Sequence, residues 1–405
     1  RGLFKPEKRF VTDLLRGLLI SRSTLLSNIS RALREPVALH ATEKRLSRML
    51  GSERLDMARL FSNYLRRAGR ETKHHVVAVD FSEIIKPYAR RMPHLAYVRD
   101  ASAPELVYHT KEDGTRNQGV LLAPGWMCLQ AEAVGVGGAR IPLWLELFST
   151  AEPDYKSENE KVRNMVFRLK RHLPERTIFV ADRGFDSNRV FAFLDTAGVP
   201  YVVRIKAQDR ILYLGGEDKV RASDLEKCIP RMGEFDFAPF RTKPKGNTKL
   251  SVGWTRAKLP QQMPSGNTKN RPGGNWLTFV IVRDLTRKPL ILISNIEVKD
   301  AGDAILIATS YLQRWGVEEA TRFEKTGLDL ENLRCLTWDR LQRLALFTML
   351  AYGFLALANA SDSEQLRTAC AAVPAFGPVP RFLFYRAAEL AAAKLRRSGE
   401  IGEGF

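Results

Sequence analysis

Cysteine and histidine are both scarce in this chain, and their scarcity excludes several kinds of site. The four cysteines, Cys128, Cys228, Cys335 and Cys370, lie far apart and form no C-x-x-C pair. They are predicted to be reduced thiols of an intracellular protein, with neither a zinc knuckle nor a disulfide framework. The six histidines form no H-E-x-x-H or similar ligand pattern.

Long apolar runs are also missing. The opening sequence RGLFKPEKRF has no apolar core of the kind that a secretory signal peptide needs. The longest apolar stretch, Leu344 to Ala358, has fifteen residues and is interrupted by Thr348 and Gly353. A bilayer span needs roughly 20 residues. This stretch is therefore predicted to be a buried helix, and no membrane partner is expected.

Acidic residues are too few to balance the basic ones. The 64 Lys and Arg against 45 Asp and Glu give a net charge of +19 and a pI near 9.9. That balance indicates a polyanionic partner, nucleic acid first and an anionic membrane second. Residues 1–70 hold 16 basic and 6 acidic residues, and 241–271 holds eight basic residues and no acid. Both regions suit phosphate contact, although basic surface also serves solubility.

The N-terminal part is predicted to be helical, with helices near 11–20, 23–34, 42–50 and 55–68. The segments STLLSNISRAL and ATEKRLSRML resemble a helix-turn-helix pair. In that arrangement Lys44, Arg45 and Arg48 lie on a helix that could contact DNA. The alternative is a basic four-helix bundle whose charges are only solvated.

Two aspartates occupy positions typical of α/β active sites. Asp80 ends the β-branched run HHVVAVD, and Asp182 ends the strand-like TIFVAD before a glycine turn. Ligands of open α/β sheets collect beyond the carboxyl ends of strands. Single aspartates are common at strand ends because they also cap helices and begin turns. The pair becomes more informative when a third acid is considered.

That acid lies in the segment YLQRWGVEEATRFEK, within a helix predicted from about 301 to 326. At 100° per residue, Tyr311, Arg314, Glu318 and Lys325 fall in one sector, which is predicted to be a solvent-accessible ridge. The alternative is an amphipathic helix with a solvated charged face. Three carboxylates gathered in one place require neutralisation, and hard oxygen ligands suit Mg²⁺ or Mn²⁺. Two such ions could support phosphodiester chemistry.

The order Asp80, Asp182, Glu318, the ADRGF context and the spacing Tyr-x2-Arg-x3-Glu-x6-Lys resemble the DDE transposases of the insertion-sequence-four family. The resemblance covers about residues 70–360. It implies an α/β fold with an RNase H-like catalytic core and a β-rich insertion, preceded by a small helical N-terminal domain and followed by C-terminal helices. The expected parts are a helical DNA-binding domain at 1–72, the core at 73–206 and 289–360, the insertion at 207–288, and a C-terminal helical segment at 361–405.

The resemblance also implies an activity. The catalytic residues would be Asp80, Asp182 and Glu318, which would also bind two Mg²⁺ or Mn²⁺ ions. The protein would cut double-stranded DNA at element ends and join the 3′-OH ends to target DNA. Tyr311, Arg314 and Lys325 would contact DNA phosphates. Arg183 would contact DNA or pair with an acid such as Asp186. A homodimer on DNA and a cytoplasmic, nucleoid-associated location in a bacterium are expected.

Two alternative functions and one question of mechanism stay open at this point. An RNase H-fold nuclease would use the same acids without joining DNA, and a domesticated transposase would bind DNA without chemistry. Some relatives carry a tryptophan before the signature helix that stacks on a flipped base while DNA hairpins form. This chain has Pro289 there, with Trp254 and Trp276 nearby, so hairpin use is left open.

Overall fold

A computed structural model describes most of the chain. The described residues are 3–72, 76–100, 107–110, 116–119, 121–134, 140–206, 210–215, 218–238, 248–262, 268–361, 363–372 and 382–398. Parts of the basic stretch 241–271 and of the C-terminal segment 361–405 lie outside these residues.

Four helices open the chain, as the periodicity predicts. They are α1 (Lys5–Ser21), α2 (Leu26–Leu33), α3 (Leu39–Leu50) and α4 (Met57–Glu71). In α1, Phe10, Leu14 and Leu18 recur at helical spacing and are buried. They belong to one hydrophobic cluster with residues of the sheet and of the later helices. The N-terminal helices therefore share a core with the rest of the described chain.

Fourteen strands are described, twelve of them in one mixed sheet. The sheet order is β10-β9-β12-β13-β14-β8-β7-β1-β5-β2, with β11 beside β12 and β6 beside β5, while β3 and β4 form a separate hairpin. The strands are β1 (Val76–Ile85), β2 (Ala96–Arg99), β3 (Val107–Thr110), β4 (Arg116–Gly119), β5 (Leu122–Val134), β6 (Arg140–Phe148), β7 (Ile178–Ala181), β8 (Tyr201–Arg204), β9 (Ile211–Leu214), β10 (Asp218–Arg221), β11 (Gly233–Phe237), β12 (Thr248–Gln262), β13 (Thr268–Arg283) and β14 (Leu290–Ser294).

The remaining helices cover the sheet and complete the core. They are α5 (Glu158–Lys170), α6 (Asn188–Thr196), α7 (Leu225–Cys228), α8 (Ala301–Gln313), α9 (Val317–Arg322), α10 (Trp338–Ser361), α11 (Ser363–Ala371) and α12 (Phe384–Ser398). Strand β1 has apolar side chains on both faces because both are covered. Val77 and Val79 join the cluster that contains α5 and α6, whereas Ala78 joins the cluster that contains α8.

One local expectation needs correction, and the place of the expected insertion in the sheet becomes visible. Asp80 was expected where its strand ends, but β1 continues to Ile85 because β5 pairs with it through Ile85↔Gly125. What ends at Val79↔Ala181 is the parallel pairing of β1 with β7. The strands β9 to β13, expected in an insertion, extend the main sheet, since β13 pairs with β14 over five residues.

Helix α10 contains the apolar stretch predicted to be buried. By length and composition it could cross a bilayer, but 67% of its most hydrophobic window is buried inside the structure. Its core residues include Leu344, Phe347 and Tyr352, which lie in the main hydrophobic cluster. The helix therefore packs as the core helix that the sequence predicts.

Candidate active site

Adjacent parallel strands bring Asp80 and Asp182 together. The last residue pair of β1 and β7 is Val79↔Ala181, so the two aspartates follow in the next row of the sheet. Residues of one row point to the same face, and this face also carries Ala78 and Val180, two rows earlier. Both of those residues pack in the cluster that contains α8. The two carboxylates therefore face the segment that follows α8.

Strand β8 adds a residue that sequence reasoning missed. Its pairing with β7 ends at Ala181↔Val203, so Arg204 occupies the same row as the two aspartates. The positive charge of Arg204 acts to lower the pKa of the Tyr311 hydroxyl. A register argument could have found it, because YVVR repeats the pattern of an apolar strand that ends in a charged residue.

Tyr311 and Arg314 of the helical segment connect the third acid to the first two. Arg314 Nη1 lies 3.2 Å from Asp80 Oδ2, and Nη2 lies 3.9 Å from Glu318 Oε1. The Tyr311 hydroxyl donates a hydrogen bond of 3.3 Å to Asp182 Oδ1. The guanidinium also lies 5.7 Å from the centre of the Tyr311 ring. All three predicted acids thus belong to one contact network.

This helical segment differs from the single long helix expected over 301–326. Helix α8 ends at Gln313, a 3₁₀ turn covers Arg314–Gly316, α9 follows, and a π turn covers Phe323–Gly327. Nor is there a solvent-accessible ridge, because Tyr311 is 1% exposed and Arg314 is 5% exposed. The two side chains point onto the sheet, where the carboxylates provide their partners. Glu318 stays exposed, with 44% of its side chain accessible.

The electrostatics of Asp80 reflect this gathering of charge. The pKa of the Asp80 carboxyl is raised to about 6: burial is the largest cause, the carboxylates of Asp182 and Glu318 add to it, and Arg314 acts against it. Burial also raises the pKa of the Tyr311 hydroxyl, with Asp182 contributing. The Tyr311 hydroxyl therefore stays protonated and donates its hydrogen bond. A cation bound beside Asp80 would stabilise the charged form of its carboxylate.

The other predicted DNA-contacting residues have varied surroundings. Arg183 is exposed beside Asp182, and its expected alternative partner, Asp186, instead pairs with Arg210. Lys325 lies in the π turn, 3.7 Å from Glu331 Oε1. On α3, Lys44 and Arg48 are exposed. Arg45 differs from them, because its guanidinium lies 2.9 Å from Asp13 and 2.8 Å from Glu35.

The carboxylates of the three acids are suitable ligands for a metal ion, but in this arrangement they are not gathered around one position. Among the described residues, no three His, Cys, Asp or Glu side chains are grouped closely enough to hold a metal ion. The reason is visible in the contacts, since the Arg314 guanidinium lies between Asp80 and Glu318. Carboxylate oxygens are the ligands preferred by Mg²⁺ and Mn²⁺, and their mutual repulsion calls for a cation.

A buried polar network holds the helical segment against the sheet. Gln130 is the residue opposite Asp80 in β5, and it is 6% exposed. It accepts a 2.9 Å hydrogen bond from the Thr321 hydroxyl of α9 and donates to the buried Glu324 carboxyl. Burial and the charge of Glu132 raise the pKa of Glu324. Sequence reasoning missed this network, although Gln130 and Glu132 within a mostly apolar strand are a usable signal.

Arg140 contacts the point at which α8 passes into the 3₁₀ turn. It is 2% exposed, pairs with Glu132 at 2.9 Å, and donates a 3.2 Å hydrogen bond to the Gln313 carbonyl. The guanidinium fills the space beside Gly316, where an added Cβ would lie 1.5 Å from Arg140 Nη2. A glycine at 316 therefore lets the buried ion pair reach the last carbonyl of the helix.

Gly316→Ala is expected to destabilise the chain by about 1–3 kcal/mol, because the methyl group must displace a buried, paired guanidinium. Urea unfolding of the two proteins measures the difference. Gly184→Ala is the matched control, since no heavy atom lies within 4 Å of its added Cβ. Equal unfolding midpoints for both variants would contradict the role given to Arg140.

Comparison with known proteins identifies the family. A cryo-EM structure of a piggyBac transposase synaptic complex with hairpin DNA is 10% identical, with a TM-score of 0.43, covering 100% of this chain and 74% of that chain. A Drosophila P element transposase strand transfer complex is 10% identical, with a TM-score of 0.18, covering 93% and 92%. No curated protein sequence matches the chain.

The family model for the transposase DDE domain matches residues 133–354, which is 222 of the 405 residues. The matched region contains Asp182 and Glu318 and begins after Asp80. The chain belongs to the DDE transposase family.

Proposed function

We propose that this transposase cuts phosphodiester bonds at the ends of a mobile DNA element and transfers the 3′-OH ends into target DNA, with Asp80, Asp182 and Glu318 as its catalytic residues. The observation that carries the proposal is the contact network of these acids with Tyr311 and Arg314. The match of the spacing to the insertion-sequence-four signature supports membership of that subfamily.

The sheet topology supports an RNase H-like core. The strands β6, β5 and β1 pair antiparallel, and β7 and β8 then follow parallel to β1. This order places Asp80, within β1, beside Asp182, which follows β7, as the proposed acid pair requires. The division into parts at 1–72, 73–206, 207–288, 289–360 and 361–405 is kept as a proposal, with β9 to β13 continuing the sheet of the core.

Divalent cations fit the donor set of the site. We propose that Asp80, Asp182 and Glu318 hold two Mg²⁺ or Mn²⁺ ions, which would supply an activated water or hydroxyl and stabilise the leaving oxygen. Arg314 is then no longer needed as the counter-ion of Asp80, and its planar fork suits a phosphate. Tyr311 orients Asp182 through its hydroxyl, so loss of that hydroxyl would leave the carboxylate free to rotate.

The remaining basic residues are proposed as phosphate contacts of double-stranded DNA. Arg204 and Arg183 flank Asp182, while Lys325, Lys44 and Arg48 extend the positive surface along the chain. The role of Arg45 is more structural, because two carboxylates of the N-terminal helices hold it. A homodimer on DNA, in the bacterial cytoplasm and on the nucleoid, follows from the same proposal.

Mn²⁺ is expected to raise the melting temperature more at pH 7 than at pH 5. The ordinary pKa of 3.8 is raised to about 6 at Asp80, so at pH 5 the folded protein holds a proton that the metal must displace. The apparent affinity for Mn²⁺ should therefore be about tenfold weaker at pH 5 than at pH 7. Thermal unfolding with and without Mn²⁺ measures this, and Asp80→Asn should remove the metal effect at both pH values. An equal Mn²⁺ shift in the variant would contradict the assignment of Asp80.

The experiment that tests the proposed function uses DNA from the flanks of the chain's own gene, incubated with the protein and Mg²⁺. Both cut and joined products are measured on the same gel. Cutting with joining supports the transposase, cutting alone supports an RNase H-fold nuclease, and binding without chemistry supports a domesticated DNA-binding protein.

A further inference from the structure

A cavity of about 380 Å³ lies where α1 and α2 meet α12, far along the chain from the acid cluster. Three arginines line it, Arg31 and Arg34 from the end of α2 and Arg396 from α12. All three side chains are exposed to solvent. The cavity therefore has a cationic wall assembled from two segments more than 300 residues apart.

The positive charges of this cavity are not neutralised by acidic residues of its wall. No Asp or Glu is among its lining residues. Arg31 Nη1 donates to the Asn28 amide oxygen at 3.0 Å, and Arg396 Nη2 donates to the Ile20 carbonyl at 3.1 Å, so the partners of both are neutral. Within the described part of the chain, none of the three arginines forms an ion pair. Guanidinium groups that share one cavity repel each other, which is unfavourable unless an anion joins them.

Neighbouring arginines of the same helices have carboxylate partners. Arg9 pairs with Asp13 and Glu35, and Arg22 pairs with Glu389. Acids are thus available in this region, and they neutralise arginines outside the cavity. The contrast indicates that the charge of the cavity is left for a ligand.

The wall of the cavity is tied to the segment after the signature helix. The Asn28 amide donates a 3.1 Å hydrogen bond to the Ser23 hydroxyl, which donates at 2.8 Å to Asp329. The Thr24 hydroxyl also donates to the Asp329 carbonyl at 2.8 Å. Asp329 follows Lys325 by four residues, so the cavity is held in a fixed position relative to the proposed active site.

We propose that this cavity is a DNA-phosphate subsite in which Arg31, Arg34 and Arg396 bind backbone phosphates of the DNA that the active site cuts. The inference rests on the proposed function and adds to it a contact surface built jointly by the N-terminal and C-terminal helices. Guanidinium forks bind phosphate oxygens bidentately, and backbone phosphates position DNA without reading its sequence. This surface is distinct from Lys44 and Arg48 on α3.

The test is the salt dependence of binding to a fluorescein-labelled 30-base-pair duplex, followed by anisotropy. The variant Arg31→Gln/Arg34→Gln is compared with the unaltered chain and with Arg9→Gln/Arg22→Gln, which removes two arginines that already have carboxylate partners. The slope of log K against log salt should become less steep by about 1.8 in the first variant, for two lost phosphates. The control variant should keep the original slope, and Arg31→Lys/Arg34→Lys should restore most of it.

An unchanged slope in Arg31→Gln/Arg34→Gln would overturn the subsite while leaving the proposed function intact. Absence of DNA binding by the unaltered chain would overturn the proposed function, and the subsite with it. Thermal unfolding with inorganic phosphate distinguishes the two possible ligands of the cavity, a phosphate of the DNA backbone and a free phosphate ion. Protection by phosphate that depends on Arg31 and Arg34, together with an unchanged DNA slope, would indicate a free-phosphate site and overturn the DNA subsite.

Discussion

Glu318→Gln is expected to lower the rate of Mg²⁺-dependent DNA cleavage by about 10³-fold, equivalent to about 4 kcal/mol of transition-state stabilisation. The amide keeps the shape of the side chain and loses the negative charge that a divalent cation needs. Glu318 is also the most exposed of the three acids, with 44% of its side chain accessible. Its replacement should therefore leave folding intact, and single-turnover cleavage of labelled element-end DNA measures the loss.

The matched control for this substitution is Glu319→Gln. Glu319 is the next residue of the same helix. Its carboxylate, with 15% of the side chain exposed, lies 3.6 Å from Arg322, whose side chain is 59% exposed. Its amide variant should cleave DNA at nearly the original rate, because an ion pair with a largely exposed partner contributes little. Both variants should bind DNA as tightly as the unaltered chain. Similar cleavage by the two variants would remove Glu318 from the catalytic set.

Arg314→Lys is expected to slow cleavage by about 100-fold, although the positive charge is kept. The guanidinium spans Asp80 and Glu318 with two nitrogen atoms and lies over the Tyr311 ring. With metal bound, the guanidinium is proposed to leave Asp80 and grip a phosphate with both nitrogen atoms, whereas a lysine ammonium is a single point of charge and cannot bind the phosphate in that fixed geometry. The cleavage rate at saturating DNA is the relevant measurement, because the defect should be in the catalytic step.

Arg322→Lys controls for the loss of a guanidinium from the same segment. Arg322 has 59% of its side chain exposed and pairs only at the surface with Glu319 in the described contacts. Its lysine variant should cleave within about threefold of the unaltered chain, since surface pairs of this kind contribute little. A rate for Arg314→Lys that also falls within that range would show that a simple positive charge is sufficient at position 314.

Local patterns predicted many elements because the relevant forces are local. The apolar spacing of α1, the buried run of α10 and the strand before Asp182 are readable from neighbouring residues. The helical spacing of Tyr311, Arg314 and Glu318 likewise indicated that the three belong together. The contacts agree with that grouping, although they are made with the sheet.

Long-range contacts account for what the sequence did not predict. The pairing of β5 with β1 extends the strand beyond Asp80, and the buried Arg140 guanidinium binds the Gln313 carbonyl at the last residue of α8. Each effect depends on a residue far along the chain. Burial of Arg314 could not be inferred either, because a charged residue on a helix is exposed unless a distant carboxylate compensates it. Asp80 is that carboxylate.

The most direct test of the central claim is a crystal structure of the chain grown with Mn²⁺ at pH 7, with the ions located by anomalous scattering. We expect a Mn²⁺ ion within about 2.5 Å of carboxylate oxygens of Asp80 and Asp182, and a second site that includes Glu318. The Arg314 guanidinium should then have moved away from Asp80. Mn²⁺ bound elsewhere, or an Arg314–Asp80 pair that persists at saturating Mn²⁺, would contradict the assignment of these three acids as the catalytic centre.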